Sequence, residues 1–387
     1  MRSTPPPQKA ALLALVLAVG GAVAATATLA LSEVDAESPH VPSSRSDAEP
    51  FRGPGPSQVR AAVAKGLRWL KQAQDPKSGG WIQNVGYKRG DAYVVTTSQQ
   101  PHVGVSALAN MAFLSGGHLP SRGLYGRVVE RGVDYVLSRI DSNSGFITGH
   151  DTRMYSHAFA TLFLAEVYGM THREDVKERL QLAIDLIVKS QNQLGSWRYR
   201  PFSNKADMSI TVCQIMALRA ARNVGIRVPK QTIDRAHEYV EKSAYKNRRS
   251  RDFGGFKYKL ESGSRTTFAL TAAGIATLNH SGIYDSELIR AGIKFLKGSM
   301  SRHNRLHWRH YYYFYGHYYA SQVFFLCSDD RNDLWSWYWP RISADLLSHQ
   351  QPNGSWKNTT GPGAAFSTAV ACVVLQIPNE YLPIFHR

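Results

Sequence analysis

A short turn closed by an aromatic residue recurs along this chain, and it limits the fold more than any other feature. The three clearest copies read Gln-Asp-Pro-Lys-Ser-Gly-Gly-Trp (Gln74 to Trp81), Gln-Asn-Gln-Leu-Gly-Ser-Trp (Gln191 to Trp197) and Gln-Gln-Pro-Asn-Gly-Ser-Trp (Gln350 to Trp356). Weaker copies end at Phe146, Phe256 and Trp308, the last without a glycine. The period is about fifty residues, and self-similarity on that scale marks stacked supersecondary units. Each copy follows an amphipathic stretch and leads through a polar gap into a more apolar one.

The amphipathic stretches are 58–74, 125–140, 174–191, 231–244, 286–299 and 335–350. Val59, Val63, Leu67 and Leu70 mark the apolar face of the first at helical spacing. Such helices keep one face in water. The apolar stretches, 102–116, 155–170, 207–223, 265–279, 313–327 and 364–376, carry few charges and need cover on nearly all sides. Six of each, alternating and joined by short turns, are satisfied by two concentric rings: an all-α, α6/α6 toroid with the apolar helices inside. An open solenoid is the alternative.

Ahead of the repeats, residues 10–31 carry no charge and follow Arg2 and Lys9. That run is long enough to cross a bilayer, which takes about 20 apolar residues. Its Ala-x-Ala patterns at 22–24 and 25–27 fit a cleaved export signal equally well, and either form exports the body. The expected organisation is therefore a signal peptide or transmembrane anchor over 1–31, a Ser/Pro/Asp/Glu-rich linker over 32–57 and the toroid over 58–387. The expected location is exported: membrane-anchored or periplasmic. Lys and Arg outnumber Asp and Glu by 46 to 29, and the resulting +17 favours an anionic partner such as a membrane surface or a diphosphate. No basic-aromatic motif accompanies that charge, so nucleic acid is not expected. Three cysteines, Cys213, Cys327 and Cys372, give no disulfide framework.

Aligning the apolar stretches places Ser106, Thr161, Thr211, Thr271, Ser321 and Thr368 at one position, a hydroxyl suited to close helix packing. One turn earlier stand His102, His157, Asp207, Thr267, His317 and Ala364. In a toroid such positions share one depth, which gathers the ionisable ones near one mouth of a central cavity. Helix capping is the simpler alternative for Asp207, and an ordinary helix start for the histidines. Aromatics crowd the fifth apolar stretch. The expected cavity lining is His102, Tyr155, Phe159, Ser209, Thr211, Phe268, Tyr315, His317 and Phe366, with Asp207 as acid or base aided by His157. Neither a cofactor nor a metal is expected.

The Trp81, Trp197 and Trp356 turns, with Gly66-Leu67-Arg68-Trp69-Leu70 before the first, resemble the QW repeats of the terpenoid cyclase and protein prenyltransferase superfamily. The resemblance spans roughly residues 58–383 and is narrowest to its exported prenyltransferase and squalene oxidase repeat proteins, down to the closing Tyr-Leu-Pro-Ile-Phe (Tyr381 to Phe385). It implies the α6/α6 toroid, an isoprenoid-sized lumen and an isoprenoid or related lipid as ligand. Class II cyclases carry an Asp-x-Asp-Asp-Thr sequence whose middle Asp protonates the alkene. The matching stretch is Asp207-Met208-Ser209-Ile210-Thr211, with Ser209 at the donor position, and a serine hydroxyl is too weak an acid for that step. Prenyltransferase zinc would need Cys where Ser209 stands and His where Ser367 stands. The resemblance thus implies a toroid that acts on or binds such a lipid at a membrane. The alternatives are a non-catalytic lipid- or protein-binding toroid and an (α/α)6 polysaccharide-processing enzyme, which would use paired carboxylates.

Overall fold

The computed structural model describes residues 53–386 apart from 90–91, 262, 302–309, 311, 331 and 359. The N-terminal apolar segment, most of the expected linker and the turn ending at Trp308 lie outside the described residues. In chain order the first repeat holds α1 (Pro56–Ala73), a hairpin of β1 (Ile82–Arg89) and β2 (Ala92–Pro101), and α2 (Val103–Leu114). There follow α3 (Gly126–Leu137), α4 (Met154–Thr171), α5 (Glu174–Lys189), α6 (Met208–Asn223), α7 (Lys230–Ser243) and α8 (Phe268–His280). The last four are α9 (Glu287–Ser301), α10 (Tyr313–Leu326), α11 (Leu334–His349) and α12 (Ala364–Gln376). Helix α1 thus begins two residues inside the stretch read as linker.

The even-numbered helices form a closed inner ring: each packs on the next, and α12 returns to α2. Every residue of α2 is buried, as its uniformly apolar sequence demands. The odd-numbered helices stand outside and bury one stripe each, such as Val128, Val129, Val133 and Val136 of α3. Each inner helix packs on the outer helix that follows it, and α12 packs on α1, so the first of the described helices completes the last hairpin.

The aromatic turns clasp this arrangement in three ways. The indole N–H of Trp81, Trp197 and Trp356 donates to the carbonyl of Leu70, Ile187 and Leu346, at 2.8, 2.8 and 2.7 Å. The amides of Gln74, Gln191 and Gln350 donate both to the turn, at Gly79, Gly195 and Gly354, and to the next outer helix, at Val128, Thr232 and Ala62. The backbone N–H of Trp81, Phe256 and Trp356 donates to Ser106, Thr271 and Thr368 within 3.0 Å. The recurrent hydroxyl therefore pairs a turn N–H that burial would otherwise leave unsatisfied. Gly354 has φ +93°, and a Cβ there would stand 2.5 Å from the Lys65 carbonyl oxygen, so the outer helix of the next repeat leans directly on the turn.

Two expectations are corrected. In the second repeat Ile140 and Ile147 form the bridge that Gln74 and Trp81 form in the first, so Ile147, not Phe146, closes that turn. The gap after Trp81 is no plain connection but an antiparallel hairpin, an addition to the all-α toroid. No helix among the described residues is long and apolar enough to cross a membrane. The three cysteines are free, Cys213 and Cys372 within the core. After α12 the chain makes short 3₁₀ turns at Ile377–Asn379 and Pro383–Phe385, and these pack on α4, α6, α10 and α12.

Candidate functional site

The inner helices run parallel, so their N-terminal ends gather at one end of the ring. There they surround a cavity of about 480 Å³. Its wall takes Val105 and Leu108 from α2, Tyr155 and Phe159 from α4, Ser209 from α6, Leu270 from α8, Tyr315 from α10 and Phe366 from α12. The hairpin supplies Val85, Tyr87, Lys88 and Tyr93, and connecting segments supply Asp151, Arg153, Tyr199, Tyr258, Arg265 and Tyr312. Arg153 stands over the Tyr87 ring at 5.1 Å and Lys88 over the Tyr312 ring at 3.9 Å, which fixes cationic heads beside aromatic faces. Asp151, the one carboxylate among the described lining residues, pairs with Arg153 at 3.3 Å and Arg200 at 2.8 Å.

Behind the α4 and α6 wall lies a buried polar network centred on Asp207, which is 0% exposed and caps α6. Its Oδ1 accepts the Ile210 N–H at 2.9 Å and the Ser209 hydroxyl at 2.7 Å. Its Oδ2 takes an ion pair from Arg198 at 2.7 Å and a longer contact from the Tyr258 hydroxyl at 3.4 Å. Three phenols connect this centre to the cavity. Tyr155 donates to Ser209 Oγ at 2.6 Å, and the Tyr199 and Tyr258 hydroxyls lie 2.6 Å apart. Burial pushes the Asp207 pKa up, while the Ile210 N–H, the Ser209 hydroxyl and Arg198 pull it back. Burial, and then the negative charge of Asp207, raise the Tyr155 phenol well above its usual range, so it is neutral.

Six residues expected at the cavity stand in its wall: His102, Tyr155, Phe159, Ser209, Tyr315 and Phe366. Asp207 lies one layer behind it. His102 caps α2, its Nδ1 accepting the Val105 N–H, and burial brings its pKa down to about 4. Four expected residues are elsewhere. His157 turns outward: Nδ1 accepts the Ile147 N–H at 3.1 Å, and Nε2 lies 3.2 Å from the Ala183 carbonyl of α5. It stands four residues past the cap of α4, where Ser106, Thr211 and Thr271 stand in α2, α6 and α8, and it does their work in the clasp. Both ring nitrogens are engaged and burial lowers its pKa to about 4. His317 also turns outward, Nδ1 lying 2.9 Å from the Tyr338 hydroxyl of α11, with Phe268 packed on its ring. Thr211 donates to the Asp207 carbonyl at 2.7 Å in the first turn of α6. Among the described residues no group of three His, Cys, Asp or Glu side chains is placed to hold a metal.

Arg198, Tyr199 and Tyr258 went unnoticed in sequence because they lie in connections, away from helical periodicity. One signal was present: Arg198 and Tyr199 directly follow the Trp197 turn, as the hairpin directly follows Trp81.

No protein-family model and no curated protein matches the sequence. Solved structures do. An α-1,6-mannanase from a Salegentibacter species, an inactive variant in complex with α-1,6-mannotriose, superposes with a TM-score of 0.61 at 9% identity, over 82% of this chain and 98% of that one. The apo type II terpene cyclase MstE from Scytonema superposes at 0.56 with 15% identity, over 85% and 100%. Cellobiose 2-epimerase from Spirochaeta thermophila gives 0.57 at 13% identity, over 83% and 96%. The fold is an (α/α)6 toroid. At these identities the likeness reaches the fold and not the ligand, since unrelated chemistries share one scaffold.

Proposed function

We propose that this toroid receives an isoprenoid or related amphiphilic lipid, with the chain in the aromatic cavity and an anionic end at its mouth. The observation that carries this reading is the composition of one cavity. Leu108, Phe159, Leu270, Tyr315 and Phe366 wall a space of about 480 Å³, and Lys88, Arg153 and Arg265 stand at its rim. That size suits a small-molecule ligand, and the inner helices turn their N-terminal ends toward it, where their dipoles favour negative charge. Two-carboxylate glycoside hydrolysis is less well served: Asp151 is held by two arginines, and Asp207 lies behind the wall. Alkene protonation is poorly served too, because the cavity meets Ser209 where a cyclase acid would stand. The reading is therefore of binding, or of chemistry other than cyclisation.

The test is native mass spectrometry of the full-length chain with farnesyl phosphate and with α-1,6-mannotriose. The expected result is a 1:1 lipid complex that weakens at least tenfold in an Arg153→Glu/Arg265→Glu variant, with no mannotriose complex. A mannotriose complex without a lipid complex would replace the reading by a saccharide one, to which the cavity's phenol hydroxyls lend support. The +17 charge and the uncharged run at 10–31 support work at an anionic membrane surface outside the cytoplasm, which cell fractionation tests.

A further inference from the structure

The direction of each hydrogen bond behind the α4 and α6 wall follows from donor arithmetic. Arg198 and the Ile210 N–H can only donate, and they engage Asp207 Oδ2 at 2.7 Å and Oδ1 at 2.9 Å, so the ion-paired Asp207 carboxylate is the acceptor in this network. Ser209 must then give its proton to Asp207 Oδ1, at 2.7 Å. The contact between Ser209 Oγ and the Tyr155 hydroxyl, at 2.6 Å, still needs a proton, and only Tyr155 has one to give. A second phenol is fixed in the same sense. Tyr315 donates to the backbone carbonyl of Ser209 at 3.2 Å. Tyr155 and Tyr315 are neighbours, their rings meeting edge to face at 6.5 Å, and both line the cavity. Each therefore commits its proton to the wall, and what its oxygen has left to offer a ligand is lone pairs.

We infer that the wall formed by Tyr155 and Tyr315 recognises a hydroxyl group on the ligand, accepting its proton in a hydrogen bond. This rests on the lipid reading and names a further requirement of it: besides the anionic end at the rim, the ligand carries a free O–H. Two acceptor oxygens side by side favour an alcohol and repel an ether or carbonyl oxygen, which would meet them lone pair to lone pair. Asp207 is a positioning residue here, setting the polarity of Tyr155 through Ser209.

Three probes separate this inference from the reading beneath it: farnesyl phosphate, farnesol and farnesyl methyl ether, each titrated into the full-length chain by tryptophan fluorescence. Farnesyl phosphate reports on the lipid reading. The ratio of farnesol to ether affinity reports on the wall, since those two differ in the hydroxyl proton and a methyl group. The wild type is expected to bind farnesol at least about tenfold more tightly than the ether, and Tyr155→Phe/Tyr315→Phe to bring the two close to equality. Ser209→Ala frees the Tyr155 proton to turn toward the cavity, so the ether should bind more tightly to this variant than to wild type. A merely structural role for Ser209 does not produce a gain for one ligand. Equal wild-type affinities, no farnesol binding while farnesyl phosphate binds, or no gain for the ether in Ser209→Ala would each overturn the inference and leave the lipid reading standing. Failure of all three ligands to bind the wild type would overturn both.

Discussion

Replacing Glu166 by Gln should change how the stability of the toroid depends on pH. Glu166 lies on α4, 1% exposed, and its Oε2 accepts the Ile384 N–H of the C-terminal segment at 3.4 Å. Burial raises its pKa from an ordinary 4.5 to about 8, with the Ile384 N–H pulling slightly the other way. A folded-state pKa above the unfolded one means that the folded chain holds the proton more tightly. The contribution to stability is complete below about pH 4.5 and is lost as pH rises toward 8. Each pH unit across that window removes about 1.4 kcal/mol, so about 3 kcal/mol is lost between pH 4.5 and pH 7. Glutamine keeps the shape and has no proton to lose. Guanidinium unfolding followed by tryptophan fluorescence, at pH 5, 6, 7 and 8, should show Glu166→Gln gaining on the wild type at each step. Hydrogen exchange at the Ile384 amide should slow in the variant at pH 8. Parallel curves for the two proteins would refute the reasoning, because they would mean that Glu166 titrates alike folded and unfolded.

Other perturbations test the clasps and the polar network. Gly354→Ala combines a strained positive φ with a carbonyl contact at 2.5 Å, and should lower stability by more than about 1 kcal/mol in thermal unfolding. Arg198→Met strands the buried Asp207 carboxylate and should cost about 3 kcal/mol, much of it recovered when Asp207→Asn is added; additive losses in the double-mutant cycle would count against the pairing. His157, with a folded pKa of about 4 against 6.5, binds its proton less tightly in the folded chain. Its contribution is complete above about pH 6.5 and is lost as pH falls toward 4, so His157→Gln should flatten the acid limb of the melting-temperature profile.

The ring was legible in the sequence because its determinants are local. Helical spacing of Val59, Val63, Leu67 and Leu70 announces an outer helix, and the near absence of charge from 103–114 announces an inner one. The site was legible only where it falls on inner helices, as Tyr155, Ser209 and Phe366 do. Residue counting set His157 beside His102 and Asp207, but helix α4 starts early, at Met154, which places His157 a turn deeper and on the outward side. The hairpin escaped because a polar stretch between two strong helices reads as a connection, although Val94 to Thr97 is β-branched throughout. Tyr199 and Tyr258 reach Asp207 by tertiary contacts alone, and no local pattern records those.

The closure of the ring by α1 bears on how the protein comes to be. Gln350 of the last clasp reaches Ala62, 288 residues earlier in the chain. Among the described helices α1 emerges first and meets its partner α12 last, so its apolar stripe stays uncovered until nearly the whole chain exists. Five hairpins assembled without the sixth make an arc with two raw ends. The first and last repeats therefore act as a lock whose halves are made far apart in translation, and loss of either α1 or α12 removes half of it.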